Sequence, residues 1–232
     1  MAELENRRPI KSRDSGWARA VARSLGEANA SPDLISAASV AFAFLGAAAL
    51  LLASLTEGAG WRAPLLVGAA GCIQLRLVCN LLDGIVAVEH RLGSTAGPIW
   101  NELPDRFSDV LLLAAAGYYA ASGRMMFAVE AGWLCAALAL LTAYLRELGR
   151  GLGFPADFSG PMAKPQRMAV LTIACGVSAL EPLWGWRGET IMIALVVIAV
   201  GTSITAWRRT QTLARRLADR NAAGGTHDPG RH

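Results

Sequence analysis

The segment from Asn80 to Asp109, NLLDGIVAVEHRLGSTAGPIWNELPDRFSD, sets Asp83, Glu89, Glu102, Asp105 and Asp109, with Asn80 and Asn101, inside an otherwise mostly apolar sequence. A carboxylate in a hydrocarbon-facing segment costs roughly 2.5 to 3.5 kcal/mol on insertion scales, so several together face a cavity, a cation or a partner. At about 100° per residue, Asn80, Asp83 and Ala87 share one helical face, as do Glu102, Asp105 and Asp109. Two helices meeting on those faces converge their oxygens. Hard oxygen ligands without His or Cys suit Mg²⁺, Mn²⁺ or Ca²⁺ better than zinc.

These residues must be delivered by membrane helices. The 232 residues are 53% hydrophobic and only 17% charged, too apolar for an ordinary soluble domain. The net charge of +4 sits mostly outside the apolar runs and concerns orientation and anionic lipid; no nucleic-acid motif with interleaved aromatics appears. Cys72, Cys79, Cys135 and Cys175 lie singly in apolar stretches without metal-ligand spacing and read as packing residues.

The expected fold is all-α, with six transmembrane helices and a short interfacial helix before them. Residues 1–30 form a basic N-terminal segment with no signal-peptide core, in which Trp17, Val21 and Leu25 recur at helical spacing, predicting an amphipathic helix on the membrane surface. Residues 31–208 form the membrane domain, with spans at Leu34–Leu55, Ala63–His90, Pro98–Ala121, Met125–Leu145, Met168–Trp184 and Thr190–Trp207. Gly93, Ser94 and Thr95 mark a turn, and Pro104 predicts a kink or local unwinding beside Asp105. Residues 209–232 read as a basic, disordered tail. The basic N-terminus, Arg91, Arg146, Arg150, Lys164, Arg167 and the tail arginines collect on one side, so the positive-inside rule puts both termini and the acidic site in the cytoplasm, in a multi-pass protein of the cell inner membrane.

The central segment resembles the signature of the CDP-alcohol phosphotransferases, D-x2-D-G-x2-A-R-x8-G-x3-D-x3-D. Asn80 takes the first Asp, Asp83-Gly84 the Asp-Gly, Ala87 the Ala, Val88 the Arg, Gly97 the second Gly, Asn101 the third Asp and Asp105 the last, without a gap. Asn stands for Asp at 80 and 101, and Val for Arg at 88. Ser31-Pro32-Asp33 is similar to the family's lead-in, and Gly160 to Arg167 lies where the family has a basic loop. The resemblance implies phospholipid synthesis: a phosphatidyl or other substituted phosphate group passes from a CDP-alcohol such as CDP-diacylglycerol to an acceptor alcohol, and CMP leaves. It also implies a homodimer and two Mg²⁺ or Mn²⁺ ions.

On this reading Asp105 is the general base, and Asn80, Asp83, Asn101, Glu102, Asp105 and Asp109 are the metal-ligand candidates. For Glu102 the alternative is a pair with Arg106, and for Asp109 a place behind the ligands. Gly84, Ala87 and Gly97 let the two helices approach and expose backbone to the nucleotide, or serve packing alone. Arg91, Arg146, Lys164 and Arg167 are candidates for binding an acceptor that carries phosphate, or simply obey charge bias. Two rival readings stand beside the enzyme. One is a family member without turnover that binds lipid or nucleotide. The other is a small transporter or channel that uses the acids as a cation path, disfavoured because the acids cluster at one end.

Overall fold

The computed structural model describes residues 16–27, 31–89 and 97–225, and among these it is all-helical. Seven α-helices follow one another: α1 (Gly16–Glu27), α2 (Pro32–Leu55), α3 (Ala59–Glu89), α4 (Gly97–Ala121), α5 (Ala128–Gly151), α6 (Lys164–Ser178) and α7 (Glu189–Gly225), with a 3-10 turn at Glu181–Trp184. The turn predicted at Gly93 to Thr95 lies outside the described residues.

Local chemistry sets the start of α2. Ser31 is its N-cap, accepting a hydrogen bond from the Leu34 amide at 3.2 Å. Pro32 then supplies a preset φ and Asp33 faces the positive end of the helix dipole. α2 packs against α3 and α4, α4 against α5, and α5 against α7, while α6 joins α3 to α7. Their shared core holds Leu50, Leu66, Ile73, Leu112, Leu113, Leu171, Ile191 and Leu195 among many alanines.

Helices α4 and α5 approach closely where Gly117 faces Gly132. A Cβ on Gly132 would lie 2.7 Å from the Leu113 carbonyl oxygen and 2.8 Å from Gly117 Cα. Backbone cannot yield as a side chain does, so Gly132→Ala is expected to destabilise the bundle by about 1–3 kcal/mol through overpacking. Thermal unfolding in detergent checks this, and an unchanged midpoint would mean that the two helices separate freely.

Among the described residues, four helices are long and apolar enough to cross a membrane: Pro32–Leu55, Gly60–Val86, Ala128–Gly151 and Glu189–Ala222. This is the pattern of an integral multi-pass membrane protein, but the expected count of six does not emerge. α4 carries Glu102, Asp105, Arg106 and Asp109, leaving an apolar half of residues 110–121. At about 1.5 Å per residue that half spans roughly 18 Å, against about 30 Å of hydrocarbon. α6 has 15 residues and stops at Ser178, where a turn and the 3-10 segment replace the expected continuation to Trp184. Nor does α4 unwind at Pro104, for it stays helical from Gly97 to Ala121.

At the other end of the chain α7 runs on to Gly225, so residues 209–225 are helix where a disordered tail was expected. Arg216 donates to the Pro155 carbonyl at 3.3 Å, and Arg220 donates to the Leu152 carbonyl at 2.9 Å while lying over the Phe154 ring. Near the N-terminus α1 is helical as its periodicity predicts. Ala18 and Ala22 are buried in a small cluster with Ile35, Leu82, Ile85 and Val86, to which Leu25 adds a partly buried edge. Trp17 and Val21 remain exposed.

Candidate functional site at one end of the bundle

The C-terminal part of α3, the N-terminal part of α4 and the first turn of α6 meet at one end of the bundle, and α2 closes the side. Asn80 and Asp83 lie one turn apart on the face that α3 turns toward α2. Ser36 Oγ donates to Asp83 Oδ2 at 2.8 Å, and Ser39 Oγ donates to Asn80 Oδ1 at 2.7 Å. With its oxygen taken by Ser39, the Asn80 amide directs its nitrogen at α4, where Nδ2 donates to Asp105 Oδ1 at 2.6 Å. Asp105 Oδ2 forms an ion pair with Lys164 Nζ. Both oxygens of Asp105 are therefore engaged.

Beneath this pair lies a drier layer. Asp109 Oδ1 receives Arg76 Nη2 at 2.8 Å and its Oδ2 receives Arg167 Nη2 at 2.9 Å. All three side chains are buried, at 0%, 1% and 2% exposure for Arg76, Asp109 and Arg167. Arg76 Nη2 also donates to the Asp105 carbonyl oxygen at 3.1 Å, joining the two layers. Arg167 Nη1 donates to the Met162 carbonyl at 3.2 Å, which ties the loop before α6 to the same network. Lys164 sits nearer solvent with 20% of its side chain accessible, yet its crowded surroundings pull the ammonium below the ordinary lysine range. Burial lowers it, and the adjacent Asp105 works against that shift.

Of the other expected site residues, Glu102 accepts Arg106 Nη2 at 2.9 Å, the alternative weighed from their spacing, and also pairs with Arg146. Arg146 donates to Glu147 at 2.9 Å and lies over the Phe158 ring. Gly84 follows Asp83 on α3. Ala87, Gly97 and Asn101 lie on the helical backbone, but their side chains are outside the described residues, as is all of Arg91. Three participants carried no functional weight in the sequence: Arg76, Ser36 and Ser39. A lone arginine in an uncharged stretch and an i, i+3 serine pair on an apolar helix are the signals that mark them.

No protein-family model matches the chain. It is 28% identical over 156 residues to the phosphatidylinositol phosphate synthase of Streptomyces avermitilis, covering 65% of this chain and 63% of that protein. The phosphatidylinositol phosphate synthase of Mycolicibacterium smegmatis is 27% identical over 194 residues, covering 82% and 81%. The crystal structure of Mycobacterium tuberculosis phosphatidylinositol phosphate synthase with CDP-DAG bound aligns with a TM-score of 0.68 at 21% identity, over 84% of this chain and 92% of that one. The chain is a distant homologue of phosphatidylinositol phosphate synthase, a CDP-alcohol phosphotransferase family member. Another structure of the M. tuberculosis enzyme, in complex with manganese and citrate, aligns at 0.63 with 21% identity, over 84% of this chain and 88% of that one.

A CDP-alcohol phosphotransferase signature implies two divalent ions, and the donor set among the described residues, which do not include the Asn101 side chain, does not fit them. Among the described residues no three His, Cys, Asp or Glu converge as a metal site. Five of the six carboxylate oxygens of Asp83, Asp105 and Asp109 already meet a hydroxyl, an amide or a cationic side chain. The sixth, Asp83 Oδ1, is buried with no hydrogen-bond partner, and one open oxygen does not make a two-metal centre.

Proposed function

We propose that this protein is a membrane transferase of phospholipid synthesis, moving a substituted phosphate group from a CDP-alcohol of the CDP-diacylglycerol class to an acceptor alcohol. The observation that carries this is Asp105, a retained signature carboxylate, held between Asn80 and Lys164, with the other retained carboxylate, Asp83, one turn from Asn80 on α3, at one polar end of a fold shared with a protein crystallised with CDP-DAG. An apolar groove of about 260 Å³ between α2 and α4, lined by Val40, Ile99, Leu103, Pro104 and Phe107, runs beside the Asp105 turn and suits acyl chains. The lipid tails would lie there with the pyrophosphate at Lys164.

In the reaction, the acceptor oxygen bonds to the lipid-bearing phosphorus as the bond to the CMP oxygen breaks, and CMP leaves with that electron pair. The hydroxyl proton passes to Asp105. A carboxylate offers about four lone-pair positions, so one remains for the substrate beside Asn80, Lys164 and the longer contact from Arg76. Lys164 stabilises the charge that develops on the phosphates, a task that a fixed ammonium performs well where water is scarce. Arg167 holds Asp109 and the loop and acts by positioning. Arg146, at the mouth, is the candidate contact for an acceptor that carries phosphate.

A second reading, ligand binding without turnover, is favoured by the Asn80 amide, which occupies an oxygen of the candidate base. Purified protein supplied with CDP-diacylglycerol and a panel of free and phosphorylated alcohols separates the two. CMP release with at least one acceptor supports the transferase; CDP-diacylglycerol binding with no CMP from any acceptor replaces it with the binding protein. A homodimer in the cell inner membrane follows from the family resemblance, with both termini and the site cytoplasmic from the Lys and Arg bias. In a background freed of its native cysteines, Ser159→Cys is accordingly expected to react with an impermeant maleimide only after cells are permeabilised. Labelling of intact cells would put the site on the wrong side for a cytosolic nucleotide.

A further inference from the structure

We infer that Asn80 and Lys164 together take over the role that divalent cations hold in the family's site, so that this chain engages its anionic ligand without a metal. Position 80 carries the first part of the argument. Asn80 Nδ2 lies 2.6 Å from Asp105 Oδ1. Were both groups carboxylates, two anionic oxygens would meet at that distance, and only a shared proton or a cation between them would hold them there. An amide turns the same approach into a hydrogen bond. Its orientation is fixed from the far side, because Ser39 Oγ donates to Oδ1 and leaves the nitrogen for Asp105.

Lys164 carries the second part. Its ammonium neutralises the remaining oxygen of Asp105. Charge balance is the third. Asp83, Asp105 and Asp109 are matched by Arg76, Lys164 and Arg167, three anions against three cations, so this interior is already neutral. Two divalent ions would add four positive charges without a further counter-anion among these groups, which a low-dielectric interior resists. Arg76 and Arg167 are committed to Asp109 in the buried layer. Lys164 has three N–H donors and remains partly accessible, so it is the cation able to keep Asp105 and still meet a phosphate oxygen.

The metal half of this inference stands on the chain's own residues, while the ligand half rests on the proposed CDP-alcohol substrate; the test keeps the two apart. The full chain is reconstituted in nanodiscs of phosphatidylcholine, Mn²⁺ is titrated, and the free ion is followed by its electron paramagnetic resonance signal. The wild type is expected to leave Mn²⁺ free into the millimolar range. The Asn80→Asp, Lys164→Met double variant is expected to gain Mn²⁺ affinity by about tenfold or more, the lower end of what changes around a metal site do. Stoichiometric uptake by the wild type at micromolar Mn²⁺ overturns the inference, and so does a folded double variant with no gain. If the double variant elutes as aggregate, Lys164→Met alone, which frees one Asp105 oxygen, is judged by the same gain. In a second arm, CDP-diacylglycerol is expected to raise the wild-type unfolding temperature equally with and without EDTA, and to lose that effect in Lys164→Met. A shift abolished by EDTA overturns the inference; a shift absent under every condition overturns the proposed ligand and leaves the Mn²⁺ titration to decide the rest.

Discussion

Asp105→Asn is expected to slow CMP release by at least about 100-fold, the low end of what a general base contributes. The substitution keeps size and one carbonyl oxygen but removes the basicity that accepts the hydroxyl proton. It also deprives Lys164 of its counter-charge and leaves a single acceptor oxygen for two donors, Asn80 Nδ2 and Lys164 Nζ, so that the new NH₂ group must face one of them. Either effect alone disturbs the cation meant for the phosphate, so the loss falls on turnover more than on protein level. Glu102→Gln provides the contrast. Its ion pairs with Arg106 and Arg146 lie at the mouth with the Glu102 side chain 37% exposed, and pairs of that kind contribute about 1 kcal/mol or less. Less than about a tenfold change follows from that magnitude. Initial rates of CMP release on matched amounts of folded protein decide it: an Asp105→Asn rate equal to wild type would remove Asp105 from the chemistry.

What the sequence revealed of this site, and what it concealed, follows from the range of each interaction. The shared face of Asn80 and Asp83, and that of Glu102, Asp105 and Asp109, could be read from helical spacing because both ends of each relation lie on one helix. The gapless signature added that α3 and α4 face each other, and the Asn80–Asp105 hydrogen bond spans that contact. Partner choice between helices was not legible, although the Glu102–Arg106 pair within α4 was. Asp109 looks like an added ligand until Arg76 from α3 and Arg167 from α6 are found on its two oxygens, contacts that no local pattern encodes. Arg76 stands out in the sequence only as a lone arginine in an uncharged stretch. The helices that fall short of the bilayer failed for a different reason: apolar composition was counted across Pro98 to Ala121 and Met168 to Trp184, while the turn at Ser178 and the charges of α4 set the apolar lengths. In the tail, Leu213 and Leu217 keep helical spacing among the arginines, a pattern that basic composition obscured.

Removal of Asp109 is expected to be the most destabilising single change in the buried network, by about 3–5 kcal/mol for Asp109→Ala. A buried ion pair contributes little net stability, because dehydrating its charges offsets their attraction. Breaking one from a single side is costly, because the surviving charge has neither water nor partner. Here one carboxylate serves two guanidinium groups, so its loss leaves Arg76 and Arg167 buried together with like charge. The environment is already short of acceptors: Arg76 Nε and Nη1 and Arg167 Nε have no hydrogen-bond partner among the described residues. Asp109→Asn retains one acceptor and should lose less. Replacing the cation as well, in Asp109→Leu with Arg167→Met, is expected to recover part of the loss, since apolar side chains of similar volume often substitute for a buried pair at little cost. Thermal unfolding in detergent, followed alongside CMP release, distinguishes this role from a chemical one. An Asp109→Ala protein that unfolds at the wild-type temperature yet releases no CMP would place Asp109 among the reacting groups and contradict the buried ion-pair account.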